Sequence, residues 1–383
     1  MTEASGDARS LRGEHLIATV ETSTCRFPLP EPIVLEHFEI HFREYVIVRV
    51  TTTTGLEGVA WALTRGALIA HVIDVVAAPV VVGRDALAIP ALLERFERQL
   101  ALLGTEGLVQ RAFSLLDIAL WDIKGRAAEM PVWRLLGGYA TEVPTLLVDA
   151  YPKPGDPMAT IVDRIVARVG AGYRALKLSS ASDPAVTASL LAAVREAVGP
   201  SVDLVVDVAM AWRDPRQGLA AIQLWAPYDP AWIEDPFRAE QVELIRFIRE
   251  RSTVPIGAGD EVANPLAMQR LIATDAVDVV RLDAACQGGL SGFAKLAALA
   301  TSRGCPISPH TYPEIHQHCA FALPGIRYLE VFAPQTPYDC TEAFLRPESL
   351  VRAIRGVVHA PANPGLGVEI NWGAVEEHAV SRA

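Results

Sequence analysis

Three apolar runs, Asp203-Leu-Val-Val-Asp207, Ala231-Trp-Ile-Glu234 and Pro255-Ile-Gly-Ala-Gly-Asp260, each end in a carboxylate. The terminal acids follow one another at intervals of 27 and 26 residues. That length accommodates a strand, a loop, a helix and a second loop, as in one unit of a parallel α/β sheet. If the strands are parallel neighbours, the three acids emerge at one edge, where they repel each other unless a cation is present. An all-oxygen set of this kind predicts a site for a hard divalent metal, with Mg²⁺ as the first choice.

The same alternation of strand and helix continues over most of the chain. The predicted strands are Pro144–Ala150, Arg174–Ser179, Asp203–Val208, Ala231–Asp235, Pro255–Asp260, Val277–Ala284, Pro306–His310 and Tyr328–Val331. Helical segments separate them, such as Ala185–Val198 and Gly292–Arg303. Eight strands that alternate with helices favour an α/β fold of the (β/α)₈ barrel type. An open doubly wound sheet lacks support, because no glycine-rich phosphate fingerprint follows the first strand.

Residues 1–140 have a different order of predicted elements, in which strands come first and helices follow. The predicted elements are strands His15–Thr22, Ile33–Ile40 and Glu44–Thr52 and helices Pro90–Leu102 and Glu106–Ala128. This order is typical of an α+β domain. We expect residues 1–13 to be disordered, the barrel to cover 141–350, and the C-terminal tail, 351–383, to return to the first domain.

Composition excludes several classes of partner. The net charge is −11 and the pI is near 5.4, so the chain has no excess of cations to neutralise nucleic-acid phosphates. Five cysteines without a CxxC pair fit reduced thiols. The N-terminus has no apolar signal region, and no apolar stretch reaches 18 residues without polar interruption. We therefore expect a cytoplasmic protein that binds neither nucleic acid nor membrane.

Other barrel strands also end in ionisable groups. They are Lys177 on the second strand, Asp283 on the sixth, His310 on the seventh and Glu330 on the eighth. Each one alone is more often a solvated loop residue than a catalyst. Together with the three acids, however, seven of the eight predicted strand ends carry such a group. Active sites of these barrels lie at the C-terminal ends of the strands, so the joint pattern favours a catalytic site.

One mechanism unites the set. A metal on Asp207, Glu234 and Asp260 would bind a substrate carboxylate and stabilise the enediolate that forms when the neighbouring proton is removed. Lys177 would add positive charge at the same oxygens. Asp283 would orient His310 as general base or acid. A protonated Glu330, favoured by burial beside acids, would donate a hydrogen bond to the other carboxylate oxygen.

These residues resemble the enolase superfamily, and specifically the mandelate racemase subgroup of its mandelate racemase/muconate lactonizing enzyme family. The resemblance extends to Ser114-Leu-Leu-Asp-Ile-Ala-Leu-Trp-Asp-Ile-Lys-Gly-Arg-Ala, to Pro131-Val-Trp-Arg-Leu-Leu-Gly-Gly and to Ser308-Pro-His-Thr-Tyr-Pro-Glu-Ile. It implies an enolase-like modified barrel and an α+β capping domain built from the N-terminal part and the C-terminal tail. It also implies Mg²⁺ (with Mn²⁺ as the alternative), a small-molecule carboxylate substrate and a homo-oligomer. The family's metal ligands fall on Asp207, Glu234 and Asp260, its His–Asp dyad on His310 and Asp283, and its electrophilic Glu on Glu330.

The chain departs from the family pattern at three places. The second strand reads Lys177-Leu-Ser179, where the family has Lys-X-Lys with the second Lys as a base, and Ser179 is too weak a base to replace it. The acids Asp260 and Glu261 are adjacent, so only one should face the metal, and we favour Asp260. Ala209 stands where an Asn often follows the first ligand.

The missing Lys bears on the reaction. Racemisation needs a base on each face of the substrate, whereas one His can serve both steps of a dehydration. The sequence therefore favours a dehydratase of a sugar acid or small hydroxy acid. A second base at Tyr151 or Asp149 would restore a racemase or epimerase of a hydroxy acid or amino-acid derivative. A third alternative is a metal- or ligand-binding barrel without catalysis.

In this family the loops of the capping domain choose the substrate. The corresponding segments here are predicted as loops at Glu21–Glu31, with Arg26 as a ligand for a distal carboxylate, and at Thr54–Thr64, with Trp61. The full set of substrate-binding candidates is Arg26, Trp61, Tyr151, Ser179 and Trp212.

Overall fold

The structure is a computed structural model that describes residues 15–35, 38–150, 155–334, 336 and 338–380. The predicted disorder at residues 1–13 and the candidate Tyr151 lie outside these residues. Within the described part of the chain, no helix is long and apolar enough to span a membrane.

The N-terminal domain opens with a three-stranded antiparallel sheet, which consists of β1 (Ile17–Leu35), β2 (Phe38–Thr52) and β3 (Glu57–Leu63). Leu35 at the end of β1 pairs with Phe38 at the start of β2, and the two strands are antiparallel. The prediction of one continuous strand over Ile33–Ile40 is therefore wrong. β-Branched residues lie on both sides of the boundary between β1 and β2, and no Asn-Gly or Gly stands there, so no local sequence signal marks where β1 ends.

The two segments predicted as loops of this domain are also strands. Residues 21–31 belong to β1, and most of Thr54–Thr64 forms β3 after the turn at Gly55. The strand β3 is buried along almost its whole length because it packs against a long helix. Gly58 is needed at this contact, since a Cβ there would lie 2.1 Å from the carbonyl oxygen of Ala119.

Helices complete the domain. They are α1 (Ile69–Val72), α2 (Ala78–Val81), α3 (Ile89–Gln99), α4 (Leu108–Ala127) and α5 (Val132–Leu135), with a π turn (Ile73–Ala77) between α1 and α2. The helix α4 contacts β3 on one side and a barrel helix on the other. Its apolar stripe therefore joins the two domains into one hydrophobic core.

Eight parallel strands form the barrel. They are β4 (Glu142–Ala150), β5 (Ala175–Ser179), β6 (Asp203–Asp207), β7 (Trp232–Glu234), β8 (Ile256–Ala258), β9 (Val279–Leu282), β10 (Ile307–Pro309) and β11 (Leu329–Phe332). Neighbours in sequence are neighbours in space, and β11 returns to pair with β4. A bridge from Ile307 on β10 to Ile326, which precedes β11, nearly closes the barrel. Every predicted barrel strand overlaps an observed one, so the predicted fold class is confirmed.

The barrel helices alternate with these strands. They are α6 (Met158–Gly170), α7 (Pro184–Val198), α8 (Pro215–Trp225), α9 (Val242–Arg249), α10 (Pro265–Ala273), α11 (Gly289–Ser302) and α12 (Pro313–Ala322). Several begin with a side-chain cap followed by proline, as at Asp183, Asp214 and Asn264. This pairing satisfies an N-terminal amide and presets the first helical turn.

The C-terminal tail runs from the barrel back to the N-terminal domain. Its strand β12 (Val357–His359) pairs antiparallel with β4, and its helix α13 (Trp372–Glu377) contacts β1. The amide of Leu366 donates to the buried Asp122 on α4 at 2.8 Å. The tail thus contributes backbone partners to both domains.

Candidate active site

Side chains inside the barrel form two layers. The lower layer is an apolar cluster of Leu146, Ala175, Val205, Trp232 and Val279. Two residues further along the strands, the same inward face carries ionisable groups, because strand side chains alternate with a period of two. These groups are Lys177, Asp207, Glu234 and Arg281. A charged layer therefore lies at the C-terminal end of the barrel, directly above an apolar one.

Lys177 links the carboxylates of three strands. Its Nζ donates to Glu234 Oε1 at 2.8 Å and to Glu330 Oε2 at 2.9 Å, and lies 3.9 Å from Asp207 Oδ2. The ammonium group is buried. Its position supports the predicted role of a fixed positive charge at this end of the barrel.

Arg281 is a second buried cation, and the sequence prediction missed it. Its Nε lies 3.0 Å from Asp260 and 3.1 Å from Glu234, and its Nη2 donates to Glu330. Its Nη1 donates to Ser308. The available signal was an Arg inside a fully buried strand, because such a residue needs partners to offset its desolvation.

The site holds more carboxyl groups than cationic side chains. Six carboxyl groups, those of Asp207, Glu234, Asp235, Asp260, Asp283 and Glu330, lie at this end of the barrel with Lys177, Arg281 and His310. Burial raises the pKa of Asp260 to about 7. Burial and the neighbouring acids, Asp260 first, raise the pKa of Asp235 well above its usual range. This excess of buried oxygen donors fits a hard divalent cation.

The carboxylates are arranged around the two cations rather than around one point. With these rotamers, no three Asp, Glu, His or Cys side chains of the described residues are placed to hold a metal ion. Arg281 contacts both Glu234 and Asp260, and Lys177 lies between Glu234 and Asp207. The donor chemistry and charge fit Mg²⁺, while its binding requires these side chains to turn toward it.

Asp260 and Glu261 face different partners, as the alternation of strand residues predicts. Asp260 turns to Arg281 and to His310, whose Nε2 lies 3.6 Å from Oδ2. Glu261 accepts from Arg65 and Arg111 of the N-terminal domain. These two arginines hold the pKa of Glu261 below its usual range. Glu261 therefore joins the two domains, and Asp260 faces the charged layer.

His310 and Asp283 form the predicted pair. Nδ1 of His310 lies 3.1 Å from Oδ2 of Asp283, which is fully buried. The other oxygen of Asp283 accepts from the amide of Ala285 at 2.8 Å. Burial lowers the pKa of His310, but Asp260 and Asp283 outweigh it and raise the pKa to about 9. Asp260 makes the largest contribution that raises this pKa, so the protonation of His310 depends on the charge of Asp260.

The surroundings of Glu330 favour its ionised form, whereas the sequence predicts a protonated one. Burial favours its neutral form, but Lys177 and Arg281 hold its pKa well below its usual range. Its Oε1 also accepts from the amide of Thr311 at 3.1 Å. The prediction considered only the neighbouring acids, and the two cations reverse their effect.

A cavity of about 820 Å³ lies between the charged layer and the N-terminal domain. From the barrel it is lined by Lys177, Ser179, Asp207, Asp260, His310 and Glu330, among others. From the N-terminal domain it is lined by residues 39–44 of β2, residues 63–66 at the end of β3, and Arg111. This domain therefore caps the barrel mouth, and we call it the capping domain.

Three substrate-binding candidates do not line this cavity. Trp61 is fully buried in the core of the capping domain against Phe344, because β3 is a packed strand and not a loop. Trp212 packs against Trp225 and Phe237. Arg26 binds Glu44 at 2.8 Å and covers the ring of Phe42. The prediction that these three residues contact the substrate is therefore corrected, because each packs against other parts of the protein.

Ser179 lines the cavity at the end of β5, where it pairs in register with Asp207. Asp149, an alternative base, is instead bound to Arg168 at 2.5 Å and is absent from the cavity wall. A second imidazole, His41 on β2, lines the capping side and lies 3.3 Å from Glu39. On the barrel side, the described residues thus offer His310 as the imidazole at the charged layer.

The loops after the barrel strands carry strained backbone. Non-glycine residues with positive φ follow four strand ends: Ala209, Met210, Asp235, Glu261, Thr311 and Tyr312. Ala209 has φ of 47°, a conformation that Asn adopts more readily than Ala. Such strain concentrates at functional sites, where it aims side chains into the site.

Comparison with known proteins places this geometry in a family. Residues 17–137 match the family description "Mandelate racemase / muconate lactonizing enzyme, N-terminal domain", and residues 160–374 match "Enolase C-terminal domain-like". A 3,6-anhydro-alpha-L-galactonate cycloisomerase from Streptomyces coelicolor is 28% identical over 93% of this chain and 98% of its own length.

Two solved structures are similar over almost the whole chain. An enolase from Bradyrhizobium, complexed with magnesium and mandelic acid, has a TM-score of 0.86 and 29% identity over 96% of this chain and 99% of that one. An L-talarate dehydratase from Polaromonas sp. JS666, complexed with magnesium and L-glucarate, has a TM-score of 0.86 and 26% identity over 96% and 98%. Both hold magnesium, the predicted cofactor, together with a small carboxylate ligand.

These matches confirm the resemblance seen in the sequence and identify the chain as an enzyme. The two family descriptions cover the capping domain and most of the barrel. The chain belongs to the mandelate racemase/muconate lactonizing enzyme family of the enolase superfamily.

Proposed function

We propose that this enzyme removes the proton next to a substrate carboxylate and then eliminates the β-hydroxyl group as water, with Mg²⁺ as cofactor. The observation that carries the proposal is the His310–Asp283 pair, whose imidazole lines the same cavity as Lys177, Asp207 and Asp260. The substrate class is a sugar acid or a small hydroxy acid. Homo-oligomeric assembly and a cytoplasmic location remain predictions from the sequence.

Asp207, Glu234 and Asp260 would hold the metal, because their strands are neighbours and bring three carboxyl groups to the same end of the barrel. When bound, Mg²⁺ supplies positive charge for the substrate carboxylate and for the electron density that moves onto it during proton removal. Lys177 in the charged layer would stabilise the same negative charge on the substrate carboxylate. Glu330 and Glu234 fix the Lys177 ammonium in place.

His310 performs both proton transfers in this scheme. Asp283 accepts the hydrogen bond from Nδ1, so Nε2 faces the cavity, and in the neutral imidazole Nε2 accepts the proton from the α-carbon. The electrons of the broken C–H bond form a C=C bond to the carboxylate carbon, which gives an enediolate. When the β C–O bond breaks, Nε2 returns its proton to the leaving hydroxyl, and water departs. The resulting enol becomes a 2-keto-3-deoxy acid.

The family relatives support this class of reaction, since they include a sugar-acid dehydratase and a cycloisomerase. Ser179 supports elimination over racemisation, since a hydroxyl is a poor base for the second face of the substrate. A racemase would need another base. Among the described residues, His41 on the capping domain is the other imidazole that lines the cavity.

A library of aldonic, aldaric and small hydroxy acids tests the proposal, with keto-acid formation as the readout. We expect a keto product with Mg²⁺, none after chelation, and loss of product in His310→Asn. His359→Asn is the matched control, because this imidazole is exposed on β12 and distant from the charged layer. Turnover that survives His310→Asn would contradict the assignment, and inversion without a keto product would indicate a racemase.

A further inference from the structure

Arg43 on β2 is a buried cation of the cavity wall that has no anionic partner among the residues that the structure describes. The residue is only 8% exposed, and its Nε has no hydrogen-bond partner. None of the described carboxylates forms an ion pair with it. The two other arginines on the same wall do have an anionic partner, since Arg65 and Arg111 both bind Glu261.

The electrostatic surroundings of Arg43 are unfavourable for a cation. Burial and the nearby Arg65 lower its pKa. Asp339 is the carboxylate that counteracts this effect, but its oxygens are occupied by Tyr45 at 2.9 Å and Thr341 at 2.7 Å. A guanidinium remains charged in proteins, so the cation must be accommodated rather than neutralised.

A buried charge without a partner destabilises the fold, so its retention on a cavity wall indicates a ligand. The missing partner is an anion. The planar fork of a guanidinium matches a carboxylate with two parallel hydrogen bonds.

The position of Arg43 in the cavity suggests which part of a ligand it meets. Arg43 comes from the capping domain, while Lys177 and Asp260 line the cavity from the barrel. A ligand whose reacting carboxylate lies at the charged layer therefore extends its other end toward Arg43. Arg26, predicted for this role, belongs to the same hairpin but is bound to Glu44.

We propose that Arg43 binds a second, distal carboxylate and that the substrate is a dicarboxylic hydroxy acid. This inference rests on the proposed function for the placement of the first carboxylate. Arg65 adds positive charge on the same wall, and it remains fixed by Glu261.

Binding of unreactive acids tests this inference without turnover. The probes are the diacids succinate, glutarate and adipate, each compared with butyrate, valerate and hexanoate of equal length, titrated calorimetrically into the Mg²⁺-loaded enzyme. We expect the best diacid to bind at least tenfold more tightly than its matched monoacid. Arg43→Met should abolish that preference and leave monoacid affinity within twofold. Arg49→Met is the control, because Arg49 lies on the same strand and pairs with the exposed Glu21.

Thermal unfolding without ligand separates binding from a structural role. Removal of an unpaired buried charge should leave the melting temperature of Arg43→Met equal to that of the wild type or higher. Equal binding of diacids and monoacids by the wild type would overturn the inference. A lower melting temperature with an unchanged diacid preference would overturn it as well.

The two proposals can fail separately. Arg43-dependent diacid binding without α-proton removal from any acid would leave the distal site standing and contradict the proposed function. Dehydration of monoacids alone, insensitive to Arg43→Met, would keep the proposed function and contradict the distal site.

Discussion

Nδ1 of His310 lies 3.1 Å from Oδ2 of Asp283, and this contact joins the ends of two adjacent barrel strands. The amide of Ala285 holds the other oxygen of Asp283, so the carboxylate is fixed on both sides. Asp283 therefore determines which imidazole nitrogen faces the cavity. This is the feature that turns a charged cavity into a site for proton transfer.

Replacement of this carboxylate should reduce catalysis without loss of the fold. Asp283→Asn changes the hydrogen bond that selects the His310 tautomer, and we expect kcat to fall by about 10²–10⁴-fold. Steady-state kinetics on the substrate found in the acid library measure the effect, and circular dichroism checks the fold. An unchanged kcat would show that Asp283 does not position the base.

Ser179→Lys should add a base on the second face of the substrate. Ser179 lines the cavity beside Asp207, so a Lys there would have carboxylate neighbours as well as access to the ligand. We expect the wild type to remove the α-proton from one configuration and the variant to act on both, as measured by NMR of each epimer in D₂O. Ser179→Met controls for size. Activity of the wild type on both configurations would mean that a second base already exists.

Arg281→Met should destabilise the protein strongly. The substitution leaves the buried carboxylates of Glu234, Asp260 and Glu330 without the cation that they share. Loss of one partner in a buried ion-pair network costs about 3–5 kcal/mol of unfolding free energy. Denaturant unfolding measures it, and Arg249→Met, which breaks a half-exposed pair with Asp278, should cost about 1 kcal/mol or less. Equal effects of the two substitutions would contradict the central role of Arg281.

His318 makes stability depend on pH. Its Nδ1 accepts from the amide of Trp133, and its Nε2 donates to the carbonyl of Leu366 in the tail. Burial lowers its pKa from 6.5 to about 4. Above pH 6.5 both folded and unfolded states are neutral here, whereas below it the unfolded state takes up the proton first. Stability should therefore fall as the pH drops from 6.5 toward 4, in total by roughly 3 kcal/mol.

The measurement for His318 is a difference between variants, because other groups also titrate in this range. Denaturant unfolding of His318→Gln should show a shallower loss of stability from pH 6.5 to 4 than the wild type. His359→Asn, at an exposed imidazole, should keep the wild-type slope. Parallel curves for all three proteins would refute the assignment to His318.

The barrel and its charged layer were predictable because each strand and its terminal ionisable group can be recognised from a few consecutive residues. Each strand is a short apolar run with an ionisable group at its end, and parallel strands bring such ends together. The structure joins the predicted groups in one network through Arg281, which bridges the Lys177 contacts to those of His310. The predicted members are Lys177, Asp207, Glu234, Asp260, Asp283, His310 and Glu330. Their catalytic and metal-binding roles stay proposals that the variants above address.

The capping side of the cavity was not predictable in the same way, because its contacts are distant in sequence. Arg65 and Glu261 are 196 residues apart, so no local pattern joins them. Trp61 was misassigned because an apolar segment after a turn can be a loop over a site or a packed strand, and only its contact with Phe344 decides. The sequence predicts a protonated Glu330 because the contact between Arg281 and Glu330, 49 residues apart, is not visible in a local pattern.

The fate of the α-proton in D₂O, followed by NMR with the Mg²⁺-loaded enzyme, tests the central claim most directly. We expect a substrate to yield a 2-keto-3-deoxy acid with solvent deuterium at carbon 3, and His310→Asn or chelation of the metal to abolish its formation. Deuterium at the α-carbon of a recovered, inverted acid without keto product would contradict the account.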